Sequence, residues 1–304
     1  MSENLVKLYT TQFSTNLELK LQQWFSKLRG RVAEGMHVGK QASPINQIAA
    51  VKGRAPAGRF APLGRVDADF TRRWVFPQDY ELPQLIDSFD ELRTIVDPQS
   101  MYAQNAAADV GRAWDDCIIT AATGTAQIGT DAGGLSTENY DTTNFQIAST
   151  FGSSAASGLT VAKLIEARRI LRHYHVDLEA EAITLVIGSQ QESDLLNQVQ
   201  VVSTEFNDRP VLVDGRVTRF LGFDIVYSER LAQASSLRTV LAFPKSGMYL
   251  GVWKDMVNQA SQRTDLSGQP WQLYTATSYG ATRTQPGKMI TILCSDTTGA
   301  DITP

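Results

Sequence analysis

The chain has 304 residues, 42% of them hydrophobic and 20% charged, with a formal net charge of −4, a composition that supports a real core in one large or two modest domains. No apolar run approaches the roughly 18 residues needed to cross a bilayer, and MSENLVKLYTTQF lacks the basic and apolar regions of a secretory signal, so neither a membrane span nor export is expected. Cys117 and Cys294 fall in apolar patterns (WDDCIITAA and MITILCSD), which makes them small buried hydrophobes rather than a disulfide or a zinc site.

The modest net charge hides an asymmetry. Residues 1–80 carry 12 Lys and Arg against 6 Asp and Glu, a net +6 that leaves −10 on the other 224 residues. Opposite-signed parts of one chain suit association between copies, each basic segment meeting another copy's acidic surface. The alternative partner of a basic arm is nucleic acid, and composition does not choose between them.

In chain order, residues 5–29 place Leu17, Leu21, Trp24 and Leu28 at helical spacing, an amphipathic arm suited to packing on a surface. Residues 30–80 are punctuated by glycine and proline and offer little to bury, so they are expected to work outside a compact domain. Within them RGRVAEGMHVG and DADFTRRWVFPQDYE are expected to pair as the long strands of a projecting hairpin. Asp97-Pro98 is a helix start, with Asp as N-cap and Pro at the first helical position. The helix that follows, about 25 residues and close to 40 Å long, carries Tyr102, Ala106, Val110, Ala113, Trp114, Cys117, Ile118 and Ala121 on one stripe and ends at Gly124.

Residues 125–158 are rich in Gly, Ser, Thr and Asn and read as exposed loop with one strand pair. Thr160 caps a second helix whose Val161, Leu164, Ile165, Ala167, Ile170 and Leu171 face a core and whose Lys163, Arg168, Arg169 and Arg172 form the polar side. AITLVIGS suits a buried strand and QQESDLLNQ a helix. The remainder is β-rich, with QLYTATSYGATRTQPGKMITILC expected to form a strand pair. The fold class is therefore α+β, with two main helices and the strands late.

Sites for chemistry are missing from the sequence. It contains no GxxxxGK[ST], HExxH, GxSxG or GxGxxG placed between strand and helix. GTAQIGTDAGG has the glycines of a phosphate loop without its lysine. His173 and His175, two apart, point to different helix faces and read as surface or capping residues. Asp67/Asp69 and Asp115/Asp116 read as arginine partners rather than catalytic carboxylates, and Trp74 and Phe76 as packing rather than base-stacking residues. No catalytic, cofactor or metal site is assigned.

The order of elements carries an identification that the motifs do not. A basic arm, a long hairpin, a long helix, then helix, strand and a set of strands resembles the capsid fold of tailed bacteriophages and herpesviruses. Arg72-Arg73, Asp79, Asp87, Asp90, Leu92-Arg93, Asp97-Pro98, Tyr102, Gly111-Arg112 and Asp115-Asp116 are similar to the hairpin exit and spine helix of phage capsid proteins. FLGFDIVYSERL, TVLAFPKSGMYLGVW and GKMITILC resemble their later strands.

The resemblance implies an N-terminal arm over 1–29, an extended loop over 30–78, and a peripheral domain over 79–158 with its spine helix at 98–123. An axial domain over 159–248 follows, and residues 249–304 are expected to be strands returning to the peripheral domain and a tail. It implies a non-enzymatic major capsid protein whose hexamers and pentamers close into an icosahedral or prolate shell around double-stranded DNA, assembled in the host bacterial cytoplasm and found in the virion. Implied contacts between subunits are Trp24, Arg29, Arg31, Lys40, Lys52, Arg54, Arg59, Arg65, Arg72, Arg73, Asp87 and Asp90, with Arg72 and Arg73 paired to acids near Asp87 and Asp90 of the same or another copy. Implied partners besides itself are a separate scaffolding protein, because the arm starts almost at Met1, a portal protein and a decoration protein; no membrane and no sequence-specific DNA binding are expected. Lys40 and Lys52 read as ordinary charges rather than cross-linking lysines. The alternatives are a tail-tube or other virion structural protein, which would form tubes or rings, and a nanocompartment shell, which would hold no DNA.

Overall fold

The computed structural model describes residues 22–40, 42–55, 58, 65–86, 99–129, 135–198, 212–213 and 216–297. The first half contributes β1 (Ala33–Met36), β2 (Ala42–Ile48), β3 (Phe70–Val75), β4 (Gln78–Ile86), helix α1 (Gln99–Thr123), β5 (Ala126–Ile128), β6 (Ser136–Glu138), the one-turn helix α2 (Thr142–Phe145) and β7 (Gln146–Ile147). The second half adds α3 (Val161–His173), β8 (Ile183–Ile187), α4 (Ser189–Leu196), and the short strands β9 (Leu212–Val213), β10 (Arg216–Val217) and β11 (Arg219–Phe220). It continues with β12 (Phe223–Tyr227), β13 (Gln233–Ala234), β14 (Leu237–Pro244), β15 (Met248–Gln262), β16 (Trp271–Arg283) and β17 (Ile290–Ser295). This is the α+β architecture that the sequence implied.

A seven-stranded sheet in the order β11-β12-β8-β14-β17-β7, with β13 on β14, is the centre of the molecule. Its β8 is buried at every position and apolar at all but Thr184, as suits a strand covered on both faces. On one side Ile183, Leu185 and Ile187 join Val240, Ile290 and Ile292 under Leu164, Ala167 and Leu171 of α3 and Leu195 of α4. On the other, Val186, Leu241 and Phe243 meet Val110, Trp114 and Ile118 of α1 and Leu250 and Val252 of β15. The second core extends to a four-stranded sheet, β1-β15-β16-β4, whose long hairpin β15–β16 runs antiparallel. A third sheet, β2-β3-β5-β6, holds the loop hairpin.

Both main helices form where expected. In α1 the residues Ala106, Val110, Trp114 and Ile118 are buried, while Tyr102 at the start of the stripe is 41% exposed. The Asp97-Pro98 start lies outside the described residues. In α3 the Thr160 side chain accepts from the Lys163 backbone N–H at 3.4 Å, the cap its sequence predicts. The core-facing stripe of α3 is turned from the expected one. Val161, Lys163, Leu164, Ala167, Ile170 and Leu171 are buried, and Ile165 is 55% exposed. At 100° per residue the stripe is centred near Leu164, Ala167 and Leu171, which puts Ile165 on its solvent flank and Lys163 inside. The Lys163 ammonium is accommodated by donating to the carbonyls of Ser157 (2.8 Å), Gly158 (2.8 Å) and Leu293 (3.1 Å), and desolvation pushes its pKa down.

Three further expectations change. The hairpin strand β3 pairs with β2, not with residues 29–39; β1 lies instead parallel to β15, because its backbone completes the edge of that sheet. Residues 272–294 do not pair with one another. β16 joins β15 and β4, whereas β17 enters the seven-stranded sheet beside β14 and β7, so the C-terminal strand does not return to the sheet of β15 and β16. Two strands of similar apolar character are assigned to different sheets by the 3₁₀ turn at Pro286–Lys288 between them. Residues 125–158 contain the expected strand pair, β5–β6, but are not all exposed, since Phe145 and Ile147 reach the first core.

Candidate assembly surfaces

Two parts of the chain leave the core: the segment leading in from the N-terminus and the β2–β3 hairpin. The first is rooted by polar side chains of α1, the second by groups of β6, β16 and the loop after β5. Residues 22–32 lie along α1, with Leu28 and Val32 buried in the second core. The Asp115 carboxylate, fully buried, accepts hydrogen bonds from the Gln23 side chain, Ser26 Oγ (2.5 Å), Lys27 N (3.0 Å) and Leu28 N (3.1 Å). Arg112 donates to Gln22 Oε1 at 2.7 Å and to Gln23 O at 3.3 Å, and is held by Asp109 at 3.0 Å. Arg29 lies 4.3 Å over the Trp114 ring and donates to both Asp255 oxygens, at 3.1 and 3.2 Å, and to Glu34.

Gly111 is required for this contact: a Cβ there would stand 2.8 Å from Ser26 N and 3.1 Å from the Phe25 carbonyl carbon, both rigid backbone. Gly111→Ala is expected to lift residues 25–26 off α1, cost about 1–3 kcal/mol and accelerate tryptic cleavage after Lys27; unchanged cleavage would show that the segment has room to shift. The same root is sensitive to acid. The Arg29 guanidinium holds the Asp255 carboxyl below its ordinary range, so its contribution is complete above pH 4 and is lost as pH falls through the lowered value. Hydrogen exchange of residues 28–32 should therefore rise below pH 4, and Asp255→Asn should show the faster exchange already at pH 7.

The hairpin is rooted through β3. Arg73, 5% exposed, forms an ion pair with Glu138 on β6, Trp74 Nε1 donates to Gly129 O at 3.1 Å, and Gln47 donates to Thr284 O at 2.8 Å. Arg283, fully buried, closes this junction. It donates to Ala122 O (3.1 Å) and Gly124 O (2.7 Å), the free carbonyls at the C-terminal end of α1, and to Glu138 O (3.0 Å). A cation there meets the negative end of the helix dipole.

The sequence-predicted contact residues are therefore divided. Arg73 is occupied inside its own subunit by Glu138, a partner different from the expected acids. Arg29 and Arg31 also pair within the chain, Arg31 with Asp224 at 3.4 Å. Trp24 is 40% exposed, and Lys40, Lys52, Arg54, Arg65 and Arg72 are exposed. Arg59, Asp87 and Asp90 lie outside the described residues. Asp116 pairs with Arg230, the arginine partnership expected of both acids, whereas Asp115 has no arginine partner among the described residues. Glu138, Lys163 and Arg283 were not foreseen. Burial raises the Cys117 thiol to about 11 and Cys294 to about 12, consistent with small hydrophobes. Among the described residues no His, Cys, Asp and Glu cluster could hold a metal, and no helix is long and apolar enough to cross a membrane.

A family model described as phage capsid protein matches residues 5–296, nearly the whole chain. The chain belongs to the phage capsid protein family. No curated protein matches this capsid protein in sequence. Its fold is that of solved tailed-phage capsids. The capsid of cyanophage P-SCSP1u superposes with a TM-score of 0.74 at 13% identity, covering 98% of this chain and 97% of that one. The cyanophage Pam1 capsid gives 0.73 at 12% identity, covering 96% and 98%. The Mycobacterium phage Che8 structure gives 0.68 at 15% identity, covering 94% and 97%. As a major capsid protein the chain is a structural subunit of a virion shell.

Proposed function

We propose that copies of this capsid protein associate as hexamers and pentamers and close into an icosahedral or prolate shell around double-stranded DNA, with the leading segment and the β2–β3 hairpin as the parts that engage neighbours. The observation that carries this reading is where apolar surface is left uncovered. Among the described residues, nine of the fifteen exposed large apolar side chains, Trp24, Phe25, Met36, Val38, Ile48, Val51, Val66, Phe70 and Leu85, lie in the first 86 residues at 40% to 98% exposure, and the other six are spread between Tyr102 and Leu266. Scattered single exposures need no explanation, but a concentration on projecting segments marks a surface used for association. The exposed cations Lys40, Lys52, Arg54, Arg65 and Arg72 lie on the same segments. Repeated by symmetry, many individually weak contacts of this kind sum to a closed shell.

The partners that accompany this reading are a separate scaffolding protein, a portal protein and a decoration protein. Electron cryo-microscopy of particles from cells producing the chain together with the other structural proteins of its phage tests it. Closed polyhedra containing DNA are expected; tubes, rings or DNA-free small shells would favour the tail-tube or nanocompartment alternatives.

A further inference from the structure

A shell around DNA turns one side of each subunit inward, and the seven-stranded sheet gives this subunit two sides, one covered by α1 and one by α3 and α4. On the α1 side, at the β11–β12 edge, cations gather around a single acid. Asp224 stands opposite Arg219 in the register of the two strands. Its neighbours on β12, Phe223 and Ile225, belong to the α3 core, while Val226 packs against the α1 core, so strand alternation puts Asp224 on the α1 side. Asp224 Oδ1 holds Arg219 Nε at 3.5 Å, and Oδ2 holds a guanidinium nitrogen of Arg31 at 3.4 Å, Arg31 coming from the segment laid along α1. Four residues earlier in that segment, Lys27 Nζ donates to the Tyr227 carbonyl at 2.8 Å, at the far end of β12. Three cations thus stand along roughly 10 Å of one strand with one carboxylate among them.

Elsewhere on the α1 side cations and acids are matched: Arg29 with Asp255 and Glu34, Arg112 with Asp109, Arg230 with Asp116. The excess around Asp224 is the exception, on a chain whose residues beyond 80 carry a net −10. It is also presented to solvent, since the Arg219 and Arg31 side chains are 67% and 43% exposed and Lys27 is exposed. A guanidinium has five donors, and among the described residues each of these uses one on Asp224. On the α3 side, by contrast, Arg169 is held by Glu166 at 2.6 Å, and the arginines of α3 are followed by Asp177 and Glu179. Contacts between protein copies ordinarily place apolar groups at their centre, whereas a DNA backbone takes lysine and arginine from an exposed surface without regard to base sequence. Trp24 and Phe25, just before Lys27, are the apolar groups that a protein partner would use instead.

We propose that Lys27, Arg31 and Arg219 contact the phosphate backbone of double-stranded DNA, and that the α1 side of the subunit is the side turned to the packaged duplex. The inference rests on the DNA-enclosing reading above and adds to it the orientation of the subunit and the residues that touch DNA. Each contact is weak, and the shell repeats all three in every subunit.

Salt-dependent binding of duplex DNA by the unassembled protein tests it, together with cross-linking in particles. The protein should bind a random-sequence duplex of about 30 base pairs at 50 mM salt and lose at least tenfold in affinity by 200 mM, because each phosphate contact contributes about 0.9 to the slope of log affinity against log salt. K27A/R31A/R219A should bind at least tenfold more weakly at 50 mM salt, with a slope shallower by about 2–3 and a thermal midpoint within about 3 °C of the original. K27R/R31K/R219K, which keeps the charges, and K52A/R54A, which removes two cations of the hairpin, should both stay within about threefold of the original. In DNA-filled particles, formaldehyde should join DNA to Lys27 and not to Lys52. Absence of duplex binding at 50 mM salt, a triple alanine variant with unchanged affinity and slope, or cross-links at Lys52 without Lys27 would each overturn the contact. So would a triple alanine variant that binds duplex as the original does but forms tenfold fewer shells, which would make the patch a seat for an acidic surface of a second copy. Shells of the unaltered chain that close without DNA would instead withdraw the DNA-enclosing reading, whatever the unassembled protein binds.

Discussion

Asp115→Ala is expected to destabilise the folded subunit by about 2–4 kcal/mol, with residues 22–32 released from α1. The carboxylate is fully buried and is the common acceptor for two side chains and two backbone N–H groups, those of Lys27 and Leu28. Without it those amides have no acceptor while Leu28 holds them in the core, and each buried unsatisfied donor costs about 1–3 kcal/mol. Relief from burying the carboxylate itself offsets part of this, which keeps the expectation below the sum. Asp115→Asn retains an acceptor oxygen and should lose about half as much. Calorimetry should show a fall of about 5–10 °C in Tm for the alanine variant, with hydrogen exchange of the Lys27 and Leu28 amides rising most. A Tm within 2 °C of the original would mean that water replaces the carboxylate and that Asp115 is not the anchor.

The larger effect is expected at Arg283. Replacement by alanine removes the largest fully buried side chain among the described residues and takes the Arg283 donors from the carbonyls of Ala122, Gly124 and Glu138. Burial pushes the guanidinium pKa down, but an arginine begins so high that it remains charged at the end of α1. The cavity and the orphaned acceptors together put the loss at about 4 kcal/mol or more, a large part of the 5–15 kcal/mol that holds an ordinary domain. Arg283→Ala should accumulate little soluble subunit, and its urea midpoint should fall well below that of Arg283→Lys, which keeps the charge but not the fork that reaches three carbonyls. Equal midpoints for the two variants would show that charge alone caps the helix and that the hairpin junction does not depend on the fork.

The helices were legible because their signals are local. Thr160 caps α3 and the Ala106–Val110–Trp114–Ile118 spacing writes α1 into the chain, each depending on neighbours three or four residues away. ITLVI reads as a buried strand from its own apolar run. What β3 and β16 pair with is not local: β2 and β1 are both short strands, and the edge left open beside β15 draws β1 away from the hairpin. The roots of the candidate assembly surfaces were partly legible. Gly111-Arg112 and Asp115-Asp116 matched the family pattern, and the structure gives three of them one task, docking residues 22–32. Arg73, which looked like a surface cation, is internal because Glu138, 65 residues later, reaches it. Lys163 looked equally polar, and its burial depends on carbonyls at Ser157, Gly158 and Leu293 that no spacing rule brings together.

The sequence by itself determined the fold class, the two main helices, the buried central strand and the separation of a basic, weakly apolar first quarter from an acidic, compact remainder, since periodicity and composition act over a few residues or over whole segments. The tertiary structure alone decided strand partners, the turn of the α3 stripe and which charged residues are internal. At Asp115, Lys163 and Arg283 a charge is retained in the core because several acceptors or donors converge on it, and that convergence is a property of the folded backbone, not of any stretch of the chain.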